Sequence, residues 1–334
     1  MAVLGKAPVS GGQLPTISFM TSQTWTPAYD LTAYVYVIGA GGSGGATNNS
    51  VGGACGGGAG GCAVSKLDLS ASTTYTVTIG VGGDRAYAEN QATNGAAGGN
   101  TSFSGSDIST MTGNGGSGGV TRASNDTTTA TGAAGGTATG GNLGNFTGGK
   151  GAAITSSVNN VAYIMGGGGA VGLWSTGQDA PDALSAYGYT TRGGMLNIEK
   201  NDLNAGKWYN RASNQNAGDH HENGYPTIEA FQGITTQLIT VTAPNTSATD
   251  YDRNHTIRTG TINSKGSAHV QDSKVWGIQS APFEGGSGQG VAVGYGARGC
   301  AGSGGGGSYA YSAATQSGGG GMGLVLIFPI SMGA

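Results

Sequence analysis

The sequence predicts an all-β chain in which extended left-handed glycine helices of the polyglycine II type pack together, with few or no α-helices. Three observations carry this. Glycine supplies 70 of the 334 residues, in short runs separated by apolar or strand-forming pieces such as Cys62-Ala-Val64 and Val171-Gly-Leu-Trp174. Alternating segments punctuate those runs, most cleanly Thr74-Tyr-Thr-Val-Thr-Ile-Gly-Val81. No segment shows an apolar stripe at helical spacing, and glycine costs about 1 kcal/mol relative to alanine at each helix position.

The case for packing is energetic. Ordering one backbone residue costs about 1–2 kcal/mol, and one hydrogen bond returns only about 1 kcal/mol net. A lone glycine strand is therefore unstable. Glycine runs either stay flexible linkers or lie against one another, with backbones close because no Cβ intervenes. A helix with three residues per turn and no internal hydrogen bonds directs its backbone groups outward to several neighbours. Linkers have no need of apolar residues such as Met165 beside Gly166–Gly169, or Tyr309 and Tyr311 between glycine runs.

Along the chain, residues 1–30 read as an attachment segment with a first strand, Phe19–Trp25. The opening MAVLGKAPVSGGQLP has no apolar stretch of the kind a secretory signal needs. Residues 31–174 together with 285–334 form a glycine-rich host domain, and Tyr34–Ile38 opens it as a strand. That strand runs into Gly39-x-Gly41-x-x-Gly44, which matches a dinucleotide-binding fingerprint on paper. The fingerprint requires a helix after the third glycine and an acidic residue about 20 positions on. GATNNSVGGACGGGAGGCA follows instead, and the first later acid is Asp68, so no cofactor is expected. Gly41–Gly45 and Gly115–Gly119, centred on Ser43 and Ser117, fit the G-x-S-x-G nucleophile elbow only as accidents of composition. Tyr75, Val77, Ile79 and Val81 share one face of the next strand. Leu324–Phe328 reads as a buried strand near the C-terminus.

Residues 175–284 differ from the host. They hold most of the charges, all four histidines and two of the four tryptophans, and read as an inserted polar and aromatic β-rich region. Ile239, Val241 and Ala243 share a strand face there, and Lys274–Ile278 is another short strand. Asp219-His-His-Glu222 places adjacent histidines on opposite faces of a strand. Asp250-x-Asp252-x-Asn254 starts like a calcium loop, but His255 and Thr261 replace the glycine and the bidentate glutamate. No metal is expected from either. Trp208, Tyr209, His220, His221, Tyr225, Tyr251 and Trp276 lie among polar hydrogen bonders, a mixture suited to sugar or protein surfaces. They are the candidate receptor contacts.

Composition sets further bounds. Charged residues make up 9% and the net charge is −3, with no basic patch, so nucleic acid is not an expected partner. No apolar run nears the roughly 18 residues that span a bilayer, so no membrane insertion is expected. The odd number of cysteines, Cys55, Cys62 and Cys300, reads as small buried fillers made in a reducing cytoplasm. A Cys55–Cys62 bridge is compatible with the spacing but is not predicted.

Several blocks occur in a fixed order: Ser22-Gln-Thr-Trp25-Thr-Pro27, Val35–Gly42, Gly56–Gly61, Thr74–Gly83, Gly98-Gly-Asn-Thr-Ser-Phe103 and Gly318–Phe328. In this the host resembles the glycine-rich domain of bacteriophage tail and tail-fibre proteins, over residues 17–174 and 285–329. The resemblance implies a virion tail protein made in the bacterial cytoplasm, an adhesin in place of an enzyme, and a homotrimer. Its partners would be other virion tail proteins and a host cell-surface receptor, a glycan or an outer-membrane protein. The chain departs from the usual fibre in lacking a long shaft. A purely architectural tail or capsid decoration protein is the alternative. An ice-binding protein, which requires a regular threonine or alanine face, and a glycan hydrolase with paired carboxylates stand further back.

Overall fold

Period-two burial builds one end of the molecule. The computed structural model describes residues 16–48, 52–89, 91–122, 129–154, 301–309 and 314–332, with 163–164, 167–169, 171, 176–177, 179–180, 270–271, 274–275, 289–290, 296 and 299. Its principal strands are β1 (Ile17–Phe19), β2 (Gln23–Trp25), β3 (Leu31–Ile38), β4 (Cys62–Leu69), β5 (Tyr75–Thr78), β6 (Thr101–Gly105), β7 (Ile108–Gly113), β8 (Ala138–Thr139), β9 (Gly144–Phe146) and β10 (Leu324–Met332). They form two five-stranded sheets, ordered β1-β10-β3-β4-β9 and β8-β7-β6-β5-β2. All neighbours pair antiparallel, with Ile17 opposite Ile327, Leu324 opposite Ile38, and Leu31 opposite Leu69. No α-helix occurs among the described residues.

The inward faces interleave. Val35, Val37, Val325 and Ile327 of one sheet meet Val77, Phe103 and Met111 of the other. Phe19, Trp25, Tyr75 and Phe103 form an aromatic chain through this core, with Tyr75 stacked on Phe103 at 5.2 Å and Trp25 tilted against Tyr75 at 5.9 Å. Such pairs add about 0.5–1.5 kcal/mol each beyond the area they bury.

Two details depart from the expected strands. Phe19–Trp25 is not one strand: a bend at Met20–Ser22 sends β1 to one sheet and β2 to the other. Val81 does not share a face with Tyr75, Val77 and Ile79. β5 ends at Thr78, the chain changes from a period of two to a period of three at Gly80, and Val81 turns outward to 74% exposure. In the insert, Lys274–Val275 does form a strand, pairing with Val270–Gln271. Ile239, Val241 and Ala243 lie outside the described residues.

β3, β5, β7 and β9 lead into glycine-rich runs, and β4, β6, β8 and β10 emerge from them. The run 39–46 shows the rule. Gly39, Gly42 and Gly45 donate to the carbonyls of Gly61, Gly58 and Cys55; Ala40, Ser43 and Ala46 to those of Gly99, Ala96 and Thr93; Gly41 and Gly44 to those of Gly321 and Gly318. Every third residue thus addresses the same neighbour, and the neighbour steps by three. The run also accepts bonds from Gly83, from Gly116 and Gly119, and from Gly305 and Ser308. This is the bonding expected of a threefold extended helix with no internal hydrogen bonds.

These bonds give 39–46 neighbours on six sides, in order around it: 55–61, 114–120, 93–99, 80–86, 317–323 and 301–308. Successive members of that ring bond to each other, so the hexagon closes. The run 55–61 is enclosed in the same way by 39–46, 114–120, 130–137, 147–154, 167–169 and 301–308. Together the two hexagons define three rows. The upper row is 93–100, 114–121 and 130–137. The middle row is 80–86, 39–46, 54–61 and 147–154. The lower row is 317–323, 301–308 and 167–169. Gly296 and Gly299 bond to Gln316 and Gly319 of the lower row. Before entering 303–308 the chain turns at Gly302, whose φ of 71° favours glycine.

Candidate functional site

Strand-to-run continuity fixes which groups share an end of the molecule. β1 begins and β10 ends at the free end of the sandwich. The described residues that flank 49–51, 90, 123–128, 155–162 and 310–313 all lie at the opposite end of the glycine block. The described flanks of the insert reach that far end as well. Segment 176–180 runs outward beside 147–150, through Gly177 N to Thr147 O (2.9 Å) and Ala180 N to Lys150 O (2.9 Å). On its return, Gln289–Gly290 pairs with Ser308–Tyr309, which pairs with Ala46–Thr47. The candidate contacts Trp208, Tyr209, His220, His221, Tyr225, Tyr251 and Trp276 lie outside the described residues, as do Asp219–Glu222 and Asp250–Asn254. What the structure places is the pair of points between which they are carried.

Within the block the runs approach too closely for side chains at the fingerprint glycines. Gly39, Gly41 and Gly44 face backbone carbonyls of Asn114, Ser303 and Gly306, which would overlap any Cβ there. The fingerprint glycines therefore serve contact between runs. Ser43 is fully buried, and its Oγ accepts a hydrogen bond from Ala96 N at 2.8 Å. Ser117 sits exposed on the upper row. Among the described residues no group of three His, Cys, Asp or Glu side chains is arranged to hold a metal.

Cys55 and Cys62 are buried thiols. Burial pushes the Cys62 thiol well above its ordinary value, only partly offset by a backbone hydrogen bond from Val37, so it stays protonated. The thiolate is the reactive form, and a neutral buried thiol is inert. Burial likewise raises the Tyr36 hydroxyl, with Cys62 and Tyr34 adding to it. In the sandwich, the Tyr75 hydroxyl donates to Asp107 Oδ2 at 2.7 Å and accepts from Ser70 N at 2.8 Å. Burial first, then the bond to Asp107, raises it to about 12, against the opposing bond from Ser70 N. These groups fasten the scaffold.

The upper row presents a regular outer surface that the sequence reading did not identify. Asn94, Ala97 and Asn100, then Thr131, Ala134 and Thr137, are exposed at three-residue spacing, flanking Ser117. Asparagines tie the row together. Asn94 Oδ1 accepts from Thr121 N and Thr121 Oγ1, Asn100 Oδ1 accepts from Gly115 N, and Asn114 Nδ2 donates to Thr137 Oγ1. The signal was present in Asn114-Gly-Gly-Ser117-Gly-Gly-Val120, where side chains recur at every third position.

A family described as a glycine-rich domain matches residues 17–328. The chain belongs to this glycine-rich domain family. The matched span starts at the first residue of β1 and ends inside β10, so the family boundaries coincide with the sandwich strands, and the span encloses the insert. No curated protein matches the chain.

Proposed function

We propose that this glycine-rich domain protein is a bacteriophage tail adhesin that recognises the host cell surface by non-catalytic binding. One observation carries the reading: the outer sandwich strands lie at one end of the glycine block, and the run ends farthest from them and both described flanks of the insert lie at the other. An adhesin needs that polarity, with a fixed mount opposite surfaces free to vary. The mount would join other tail proteins at the sandwich end. The insert would meet a glycan or outer-membrane protein, through aromatic and polar side chains such as Trp208, Tyr209, His220, His221, Tyr225, Tyr251 and Trp276. A homotrimer at the tail tip would convert weak single contacts into avidity.

The test uses the full chain and a variant in which 181–288 is replaced by a short glycine-serine linker. Added to susceptible bacteria before infection, the full chain is expected to bind cells and compete with phage. The shortened variant is expected to melt as the full chain does and to lose competition. Absence of cell binding at saturating dose would leave the architectural alternative, a decoration protein that glues neighbours.

Ice binding has one observation in its favour, the three-residue spacing of Asn94, Ala97, Asn100, Thr131, Ala134 and Thr137. It requires side chains free to order water, whereas Asn94, Asn100 and Thr137 accept hydrogen bonds within the row. Thermal hysteresis of the purified protein decides the point, and the adhesin reading expects none.

A further inference from the structure

The sequence contains three Asn-Gly pairs, Asn94-Gly95, Asn114-Gly115 and Asn223-Gly224. Such a pair carries its own reagent. The glycine amide nitrogen, once it gives up its proton, attacks the asparagine side-chain carbonyl carbon, and glycine has no side chain to block the approach. The bond to the side-chain nitrogen breaks, ammonia leaves with the proton, and a five-membered succinimide closes. Water then opens either ring carbonyl. One product is aspartate. The other is isoaspartate, in which the chain runs through Cβ and gains one backbone atom. Water is the only co-reactant.

In the upper row the lattice engages the reacting groups of the first two pairs. Gly95 N donates to Gly119 O at 2.8 Å, and Asn94 Oδ1 accepts from Thr121 N at 2.8 Å and from Thr121 Oγ1 at 2.9 Å. Gly115 N donates to Asn100 Oδ1 at 3.0 Å, and Asn114 Nδ2 donates to Thr137 Oγ1 at 3.0 Å. The Asn114 backbone is also held on both sides, its N donating to Thr137 O at 2.8 Å and its O accepting from Gly61 N at 2.9 Å. Ring closure must break these bonds and turn the asparagine ψ away from the value of about +145° that a threefold extended run requires. Neither glycine can give way to a slower-reacting residue, because a Cβ on Gly95 would overlap Ser43 O and one on Gly115 would overlap Gly98 O. Packing fixes the glycine half of both labile pairs, and the asparagine half ties the row together.

We propose that Asn94-Gly95 and Asn114-Gly115 are latent self-modification sites that stay unreactive only while the upper row is bonded. Lasting separation of 93–100 from 114–121 releases both glycine amides, and succinimide formation then makes the opening permanent. Isoaspartate puts every later residue of its run out of step with neighbours that are addressed at each third position. Aspartate at position 114 loses the Nδ2 donor to Thr137 Oγ1. The device is independent of what the far end binds.

The test holds the full chain in mildly alkaline buffer, either folded or unfolded in guanidinium. Peptide mass spectrometry follows the mass gain at each pair, with fragmentation to separate isoaspartate from aspartate. In the unfolded chain all three pairs are expected to convert at similar rates. Asn223-Gly224, which lies outside the described residues, serves there as the standard for the chemistry. In the native protein Asn94 and Asn114 are expected to convert at least about tenfold more slowly than in the unfolded chain, since reaction waits on local opening. Native conversion of either at the unfolded rate would overturn the proposal. Asn100→Ala then tests the hydrogen bonds while leaving both pairs intact. It removes the acceptor of Gly115 N, so conversion of Asn114 in the folded variant is expected to rise about two- to tenfold, the worth of one hydrogen bond. Asn94 in the same molecules is expected to keep its native rate. An unchanged Asn114, or equal acceleration at both sites, would overturn the role given to these bonds.

Discussion

Gly113→Ala tests the packing claim most directly. Gly113 closes β7 where run 114–121 begins, and it faces the junction of two other runs. A Cβ there would lie 2.5 Å from Gly39 N, 2.6 Å from Gly61 O and 2.6 Å from Val37 O, while ordinary contact begins near 3.4 Å. The shortfall is about 0.8–0.9 Å against three backbone atoms, none of which can rotate away. Two of those atoms are the partners of the Gly39 N to Gly61 O bond, 2.8 Å long, so the methyl wedges against that bond. Backing 113–114 away by the shortfall would stretch Gly61 N to Asn114 O from 2.9 Å to about 3.8 Å, beyond hydrogen-bonding range. Overpacking costs about 1–3 kcal/mol, and a buried group stripped of its partner costs about 1–3 kcal/mol. The stiffer unfolded chain returns about 0.4–1 kcal/mol. The net loss is about 2–5 kcal/mol, from a total of about 5–15 kcal/mol. At about 2–4 °C per kcal/mol the melting temperature should fall by roughly 10 °C. Gly45→Ala is the control: its nearest neighbour is the Thr121 methyl at 2.9 Å, a side chain, with backbone at 3.2 Å. Circular dichroism during thermal and guanidinium unfolding reads both. If Gly113→Ala stays within about 0.5 kcal/mol of wild type, or Gly45→Ala is equally damaging, the close-packed lattice is not what holds the runs.

Three other outcomes follow from the scaffold. The Tyr75 hydroxyl rises from 10.0 to about 12 on folding. Its contribution is therefore complete below pH 10 and is lost as pH climbs through 10 to 12, and Tyr75→Phe should flatten that part of a stability-against-pH curve. Cys55 and Cys62 should resist thiol reagents in the native protein and react once guanidinium unfolds it, as monitored by mass; native labelling of Cys62 would contradict its burial. Asn94→Ala removes the acceptor for Thr121 N and Oγ1 at an exposed site where water can substitute, so guanidinium unfolding should show a loss of only about 0.5–1.5 kcal/mol.

How much of this was legible depends on which physical rule governs each residue. Tyr34–Ile38 and Leu324–Ile327 announce themselves because β-branched and aromatic residues buried on both faces leave little choice but a central strand. Val81 misleads for the opposite reason. Alternation through Tyr75, Val77 and Ile79 holds only while the backbone pleats, and Gly80 ends the pleat. The three-residue register was readable in Ala40-Gly-Gly-Ser43-Gly-Gly-Ala46, where Ala40, Ser43 and Ala46 all donate to the run 93–99. What no inspection of the runs supplies is which run lies beside which. Glycine is the same everywhere, so Gly42 bonds to Gly58 and not to another glycine for reasons written outside the runs. The insert is a different matter, since its candidate contacts lie outside the described residues and rest on composition alone.

The source of that missing information is the sandwich. Side-chain packing specifies register wherever one face of a sheet is buried, and β3, β4 and β10 satisfy this through Val35, Val37, Ala63, Val325 and Ile327. Pairing Ile38 with Cys62 and with Leu324 delivers Gly39 opposite Gly61, and brings run 317–323 alongside 39–46, before any glycine bond forms. The runs then inherit their neighbours from strands that have side chains to choose with. A one-residue slip in β3 would rotate run 39–46 by a third of a turn and aim Ala40, Ser43 and Ala46 at the wrong neighbour. Specification therefore flows from the sandwich outward and is spent by the far end, where connections such as 47–53 need only span adjacent runs. That end can carry an insert of about a hundred residues at little cost, because lengthening a loop adds only slowly to its closure entropy. On the adhesin reading proposed above, the same direction of dependence would let the sandwich serve as the mount and let recognition change at the far end without disturbing the fold.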